Sequence, residues 1–175
     1  QSEKYELVCF YDPDEANAKK VSEEFGYKRF DSIETLIAEC DMVDVVTPTL
    51  NHFMCAEKII KAGKHLFIEK PIATTVEEAE AIIALAKEHH VKGQVGHVER
   101  FNPAFIAVRD QIHNPMFIEA HRLAEFNPRG TDVPVVLDLM IHDIDVILSV
   151  VKSKVKHISA SSAMVISHSP DITNA

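Results

Sequence analysis

Residues 43–71, VDVVTPTLNHFMCAEKIIKAGKHLFIEKP, decide the fold. A short run rich in β-branched residues (43–46) stops at Thr47-Pro48. A helix-patterned stretch (51–62) follows and closes on Gly63. A second apolar run (65–68) then stops at Glu69-Lys70-Pro71. Short apolar runs bounded by turn signals predict buried strands. A helix-length connection between two such runs predicts a parallel pair, because parallel strands need a long crossover.

The same alternation extends outward. Upstream, residues 5–11 read as a buried strand ending in Asp12-Pro13-Asp14, followed by a helix to Phe25 that Gly26 closes. Ser32 opens a short helix with Ile33, Leu36 and Ile37 on one face, and Asp31 is a rival cap. Downstream, Thr75 and Glu78 form a capping box for a helix over 76–89, and residues 91–95 form a further strand before Gly96. The expected fold class is α/β: a Rossmann-type, doubly wound parallel sheet over residues 1–98.

The rhythm changes after Gly96. Asn102-Pro103 reads as a cap with proline at the first helical position. Residues 116–126 alternate as a long strand, 134–151 read as an amphipathic helix, and 155–166 as another long strand. Residues 99–175 are therefore expected to form the first part of an α+β open-sheet substrate domain.

Composition narrows the function classes. The formal net charge is −9, which disfavours a nucleic-acid or anionic-membrane partner. No apolar stretch is long enough to span a bilayer: the longest, 133–151, is broken by Asp138, His142, Asp143 and Asp145. Cys9, Cys40 and Cys55 lack zinc or redox spacing and read as buried free thiols, which points to a cytoplasmic location.

Four places carry chemistry. Asp12 ends the 5–11 strand, where an acidic residue of a dinucleotide-binding fold receives the ribose hydroxyls; the alternative is a helix cap. Thr47, Pro48, Asn51 and His52 lie at the carboxyl end of the 43–46 strand, where such folds bind cofactor, or they form a plain turn. Glu69-Lys70-Pro71 ends the next strand. Proline restricts Lys70 to extended geometry, so this lysine either points into the crevice or is a surface residue. Asp138 and His142 share one face of an apolar helix and need partners there. They form a structural pair, a metal site without an evident third ligand, or an acid/base histidine with an aspartate beside it.

The order of motifs resembles the GFO/IDH/MocA family of oxidoreductases: a strand ending in Asp12, then VDVVTPTLNH, HLFIEKP, GHVERFNPAF and DLMIHDID. The resemblance runs along essentially the whole chain, and EKP is its most specific part. It implies a Rossmann domain, then a sheet domain carrying substrate contacts and the interface of a homo-oligomer. Lys70 matches the family's catalytic lysine, often followed by a cis proline. His142 matches its acid/base and Asp138 the substrate-holding or orienting group. Asp12, Thr47, Pro48, Asn51, His52 and Glu69, with Lys70, match the cofactor-binding segments, and Asp12 implies NAD over NADP. No metal is implied. Leu139, Met140 and Ile141 stand where many members place a glycine.

GHVERFNPAF, FNPRGTDV and VLDLMIHDID are most similar to bacterial members that oxidise the 3-hydroxyl of UDP-N-acetylglucosamine. Arg100, Asn102, Arg129 and Gly130-Thr131-Asp132 would then lie in substrate-domain loops. The implied reaction passes a hydride from a sugar carbon, in a sugar or nucleotide sugar, to nicotinamide. A non-catalytic nucleotide-sensing or interaction protein on the same fold is the competing class, and the presence of both Lys70 and His142 favours the enzyme.

No glycine precedes Gly26, so the glycine turn that binds pyrophosphate is absent from these residues. The expectation is a fragment lacking strand one. Residues 5–11 and 43–46 would then flank an empty strand slot without a ladder between them, and these residues alone would bind NAD poorly.

Overall fold

A computed structural model describes residues 3–124 and 133–175. Three parallel strands, β1 (Met42–Val45), β2 (His65–Ile68) and β3 (Gly93–Val95), pair in the order β1-β2-β3. The register sets Val45 against Ile68, and Ile68 against Val95. All three strands therefore end at one level, and Glu69-Lys70 and Gly96-His97 emerge side by side. This is the expected Rossmann-type α/β arrangement.

Helices fall where local chemistry places them. In α1 (Glu15–Phe25) Asp14 caps through the Asn17 N–H, and Gly26 closes the helix at φ 69°. In α2 (Ile33–Glu39) Ser32, not Asp31, is the cap. The stretch after β1 starts as a single 3₁₀ turn (Thr49–Asn51) and continues as α3 (His52–Lys61). Thr75 caps α4 (Val76–Glu88). The reciprocal half of the capping box is displaced by one residue: the Glu78 carboxylate accepts from the Thr74 N–H and hydroxyl at 3.1 and 2.5 Å.

The core lies between the sheet and α3/α4. Ile59, Ile60 and Ile68 are fully buried there, beside Val43, Val45, Leu66 and Ile82. Each such aliphatic side chain contributes roughly 1.5–3 kcal/mol on burial.

Three strand expectations are corrected. Residues 5–11 form no strand. Only Phe10 pairs, its N–H donating to the Lys28 carbonyl and its own carbonyl accepting from the Phe30 N–H. Tyr5, Leu7 and Val8 are exposed, Cys9 is buried in the core, and Tyr11 packs part-buried against it. No ladder joins this segment to β1, so it gains neither the hydrogen bonds nor the covering neighbours of a central strand. The short segment around Phe30, which runs parallel to Phe10, carries too little apolar sequence to be seen as strand.

Residues 116–124 likewise form no strand, and Met116, Phe117 and Leu123 are exposed; 125 and 126 lie outside the described residues. Within 155–166 only β4 (Ser161–Ala163) forms, paired antiparallel to β5 (Ile172–Asn174). Both segments alternate well, but a strand is completed by partners, and among the described residues none pairs with 116–124 or with the rest of 155–166.

The helix expected over 134–151 is present but irregular. Val136–Met140 forms a π turn that leads into α6 (Ile141–Val150). Asn102 caps α5 (Pro103–Arg109), with proline at the first position as expected. No helix of the described residues is long and apolar enough to cross a membrane.

Candidate active site

Lys70 leaves the end of β2 through a fixed backbone. The Glu69 N–H extends the ladder to the Val45 carbonyl at 3.1 Å, and the Glu69 carboxylate accepts the Lys70 N–H at 3.2 Å. The Lys70-Pro71 bond is cis, as expected. Gly96 at the end of β3 makes room for this arrangement, because a Cβ there would stand 2.9 Å from the Glu69 carboxylate. Gly96→Ala should therefore push Glu69 off the Lys70 N–H and destabilise the fold by about 1 kcal/mol. Urea unfolding of the two proteins measures this, and equal midpoints would show that Glu69 yields without loss.

From β2 the Lys70 side chain reaches the π turn of the distant helix. Its ammonium donates to the Asp138 carboxylate at 2.9 Å and to the Asp138 backbone carbonyl at 2.8 Å. Lys70 and Asp138 are 20% and 35% exposed along their side chains, so a ligand can reach the pair. An ammonium carries three N–H donors. Two are used here, and the third has no partner among the described residues. Single-turn π insertions recur at functional sites, and this one sets Asp138 facing Lys70.

His142 follows one turn later. Its Nδ1 is buried without a hydrogen-bond partner among the described residues. Burial, then the nearby Lys70 and Arg122 charges, pushes its imidazole below the ordinary value of 6.5. The neutral ring, able to accept a proton, is therefore favoured at neutral pH. Lys70, Asp138 and His142 thus converge at the ends of the parallel strands although they are far apart in sequence.

A second layer holds α6 in place. Arg100, in the 3₁₀ turn Val98–Phe101, grips Asp145 of α6 with two bonds of 2.6 and 2.5 Å. Asp145 is buried, and the Arg100 guanidinium holds its carboxyl below the usual range. His97 Nδ1 lies 3.8 Å from the same carboxylate. Arg122 pairs with Asp143 at 2.8 and 2.9 Å. Arg100 was expected in a substrate loop, and the structure instead commits it to Asp145. Asn102 caps α5 through the Ala104 N–H. Arg129 and Gly130-Thr131-Asp132 lie outside the described residues.

The expected cofactor residues divide. The Asp12 carboxylate accepts the Asp14 N–H at 2.9 Å and the Asn17 amide, so it orders the start of α1 while Asp14 serves as the cap. The Thr47 hydroxyl is buried near the Cys55 thiol without a well-placed hydrogen-bond partner. Pro48 and Asn51 are exposed at the same strand end, and Asn51 makes no side-chain cap bond. His52 differs from them: it is 1% exposed, and each ring nitrogen faces a carbonyl oxygen, Pro71 at 2.8 Å and Thr47 at 3.0 Å. It has no nitrogen left to offer a cofactor. Among the described residues no cluster of His, Cys, Asp or Glu could hold a metal.

A parallel sheet with chemistry gathered at its strand ends defines a Rossmann-type nucleotide-binding protein. The chain belongs to the GFO/IDH/MocA oxidoreductases: residues 1–97 match the model of that family, described as an oxidoreductase family with an NAD-binding Rossmann fold. It is 37% identical to UDP-N-acetylglucosamine 3-dehydrogenase of Acidithiobacillus ferrooxidans, covering 97% of this chain and 55% of the relative. A solved structure of that enzyme superposes with a TM-score of 0.89, covering 95% of this chain and 56% of the other. The scyllo-inositol 2-dehydrogenase (NAD(+)) of Bacillus subtilis is 30% identical over 80% of this chain and 44% of its own length. The chain thus spans about half the length of these relatives.

Proposed function

We propose that this chain is the cofactor and proton-transfer part of an NAD-dependent dehydrogenase that oxidises a ring hydroxyl of a sugar or nucleotide sugar. The observation that carries the reading is the meeting of Lys70 with Asp138 beside His142, whose Nδ1 is buried without a partner among the described residues. The likeness to UDP-N-acetylglucosamine 3-dehydrogenase supports the 3-hydroxyl of a UDP-sugar as the reacting group.

The residues fit the nicotinamide end of the cofactor. The Thr47 hydroxyl and His142 Nδ1 are buried without a well-placed partner among the described residues, and Pro48 and Asn51 are exposed just after β1. Asp12 would receive the adenosine ribose, favouring NAD over a 2′-phosphorylated cofactor. When bound, NAD supplies the hydride acceptor. Lys70 donates its remaining N–H to the substrate hydroxyl and so fixes the C–O direction. Asp138 holds the ammonium in that direction. An unprotonated ring nitrogen of His142 takes the hydroxyl proton as the carbonyl forms, and in the reverse reaction it returns that proton. The division into residues 1–98 and 99–175, self-association through the second half and a cytoplasmic location belong to the same reading. Sedimentation of the full-length protein as a monomer would remove the self-association.

The test is direct. Full-length protein mixed with NAD and UDP-N-acetylglucosamine, or with an inositol, should build up the absorbance of reduced nicotinamide. If NAD binds but no sugar or polyol reduces it, the dehydrogenase reading fails. pH dependence gives a second check. Because the His142 imidazole is pushed below 6.5, the acid limb of log kcat/KM should fall below that value. A limb above pH 6.5 would show that a different group takes the proton.

A further inference from the structure

We propose that His52 is a positioning residue for Lys70 rather than a contact of the cofactor. The ladder between β1 and β2 ends with the Glu69 N–H on the Val45 carbonyl. Beyond that bond the two chains leave the sheet as separate turns, Thr47-Pro48 and Lys70-Pro71. The His52 imidazole lies between them, its Nδ1 2.8 Å from the Pro71 carbonyl oxygen and its Nε2 3.0 Å from that of Thr47; a neutral ring donates its one N–H to one of the two, and a doubly protonated ring donates to both. Lys70 is thereby held on both sides: Glu69 before it is tied to β1, and Pro71 after it abuts the His52 ring that the start of α3 holds at the same strand's exit. The Glu69 carboxylate holds the Lys70 N–H between these two points.

The location of His52 makes the link stiff. It is the first residue of α3, whose Ala56, Ile59 and Ile60 are among the most buried side chains of the protein. A lysine has a long, flexible stem, so aiming its ammonium at Asp138 depends on how narrowly its backbone is fixed. Displacing a reacting group by about 1 Å can cost on the order of a hundredfold in rate. A buried imidazole whose two nitrogens both reach backbone carbonyls on either side of the crevice supplies that restraint and has no free polar atom with which to recognise a ligand.

The rate arm of the test rests on the dehydrogenase reading, and the labelling arm does not. Full-length wild type, His52→Phe and His52→Asn are compared. Phenylalanine keeps the ring volume and loses the ring's N–H donation, whereas asparagine keeps one amide donor and covers the case in which phenylalanine does not fold. Reductive methylation followed by mass spectrometry reads the accessibility of the Lys70 amine, calorimetry reads NAD affinity, and turnover reads kcat. In His52→Phe the Lys70 labelling rate should rise and kcat should fall, each about tenfold, which is the loss of roughly one net hydrogen bond. NAD affinity should stay within about twofold, and asparagine should recover part of both changes. Weaker NAD binding with unchanged Lys70 labelling would make His52 a cofactor contact and overturn the proposal. Unchanged labelling and unchanged NAD affinity would reduce it to a packing residue. A wild type that turns over no sugar fails the enzymatic reading alone, since labelling still decides the role of His52.

Discussion

Lys70→Met should lower kcat of the full-length enzyme by about 10²–10⁴-fold, the range lost with a positioned acid–base group, while leaving NAD affinity nearly unchanged. Methionine keeps most of the apolar stem and removes every donor. The substrate hydroxyl loses the N–H that orients it, and Asp138 loses a charge-assisted bond of 2.9 Å. The fold should survive, because the pair is part-exposed and water can solvate the freed carboxylate. Lys70→Arg should rescue poorly, since a planar guanidinium cannot place one point donor where an ammonium did. Steady-state kinetics with separate NAD titrations measure all three proteins. A Lys70→Met enzyme within threefold of wild-type kcat would remove Lys70 from the reaction.

How much of this was legible in the sequence depends on how local the determining physics is. The β2 strand is legible at its observed bounds because three apolar residues behind His65, between Gly63-Lys64 and Glu69-Lys70-Pro71, leave little else for the segment to do. The caps at Ser32, Thr75 and Asn102 were legible for the same reason: donor and acceptor lie within three residues of each other. Residues 5–11, 116–124 and 155–166 carry strand patterns of comparable quality, yet a strand is completed by a neighbour that periodicity cannot supply. The π turn at Val136–Met140 has no local signature, since Leu139, Met140 and Ile141 suit an α-helix equally well.

At the site, residue types were legible and contacts were not. Lys70, Asp138 and His142 were chosen from their motifs, but the Lys70–Asp138 bond spans 68 residues and belongs to the tertiary fold. His52 was grouped with the cofactor residues because it stands beside Asn51, whereas burial gives it a different task. In the sequence Asp145 reads only as one of the residues that break the apolar stretch 133–151. The signal was present: an acid on the apolar face of a helix must find a cation, and Arg100, expected in a substrate loop, was one such cation in GHVERFNPAF.

That pair carries the largest expected effect on stability. Arg100→Ala should destabilise the protein by about 3 kcal/mol at neutral pH, the lower end for removing one partner of a buried ion pair. The lower end applies because Asp145 is buried whereas the Arg100 side chain is 48% exposed. After the substitution only His97 remains near the carboxylate, at 3.8 Å. Arg100→Lys should recover a minor part, because a single ammonium cannot reproduce the two bonds of 2.6 and 2.5 Å. The pH dependence fixes the cause. In the folded protein Arg100 holds the Asp145 carboxyl below its unfolded value of about 3.9. The unfolded chain therefore binds the extra proton as pH falls, and the stabilisation, complete above that value, is lost as pH drops through the folded one. Urea unfolding of wild type and Arg100→Ala at pH 7 and pH 3 should show a large difference in the first case and a smaller one in the second. A difference that persists unchanged at pH 3 would trace the loss to packing of the arginine stem instead of its charge. Since Asp145 sits on the helix that carries His142, three residues further on, the same substitution should also lower kcat in the folded enzyme.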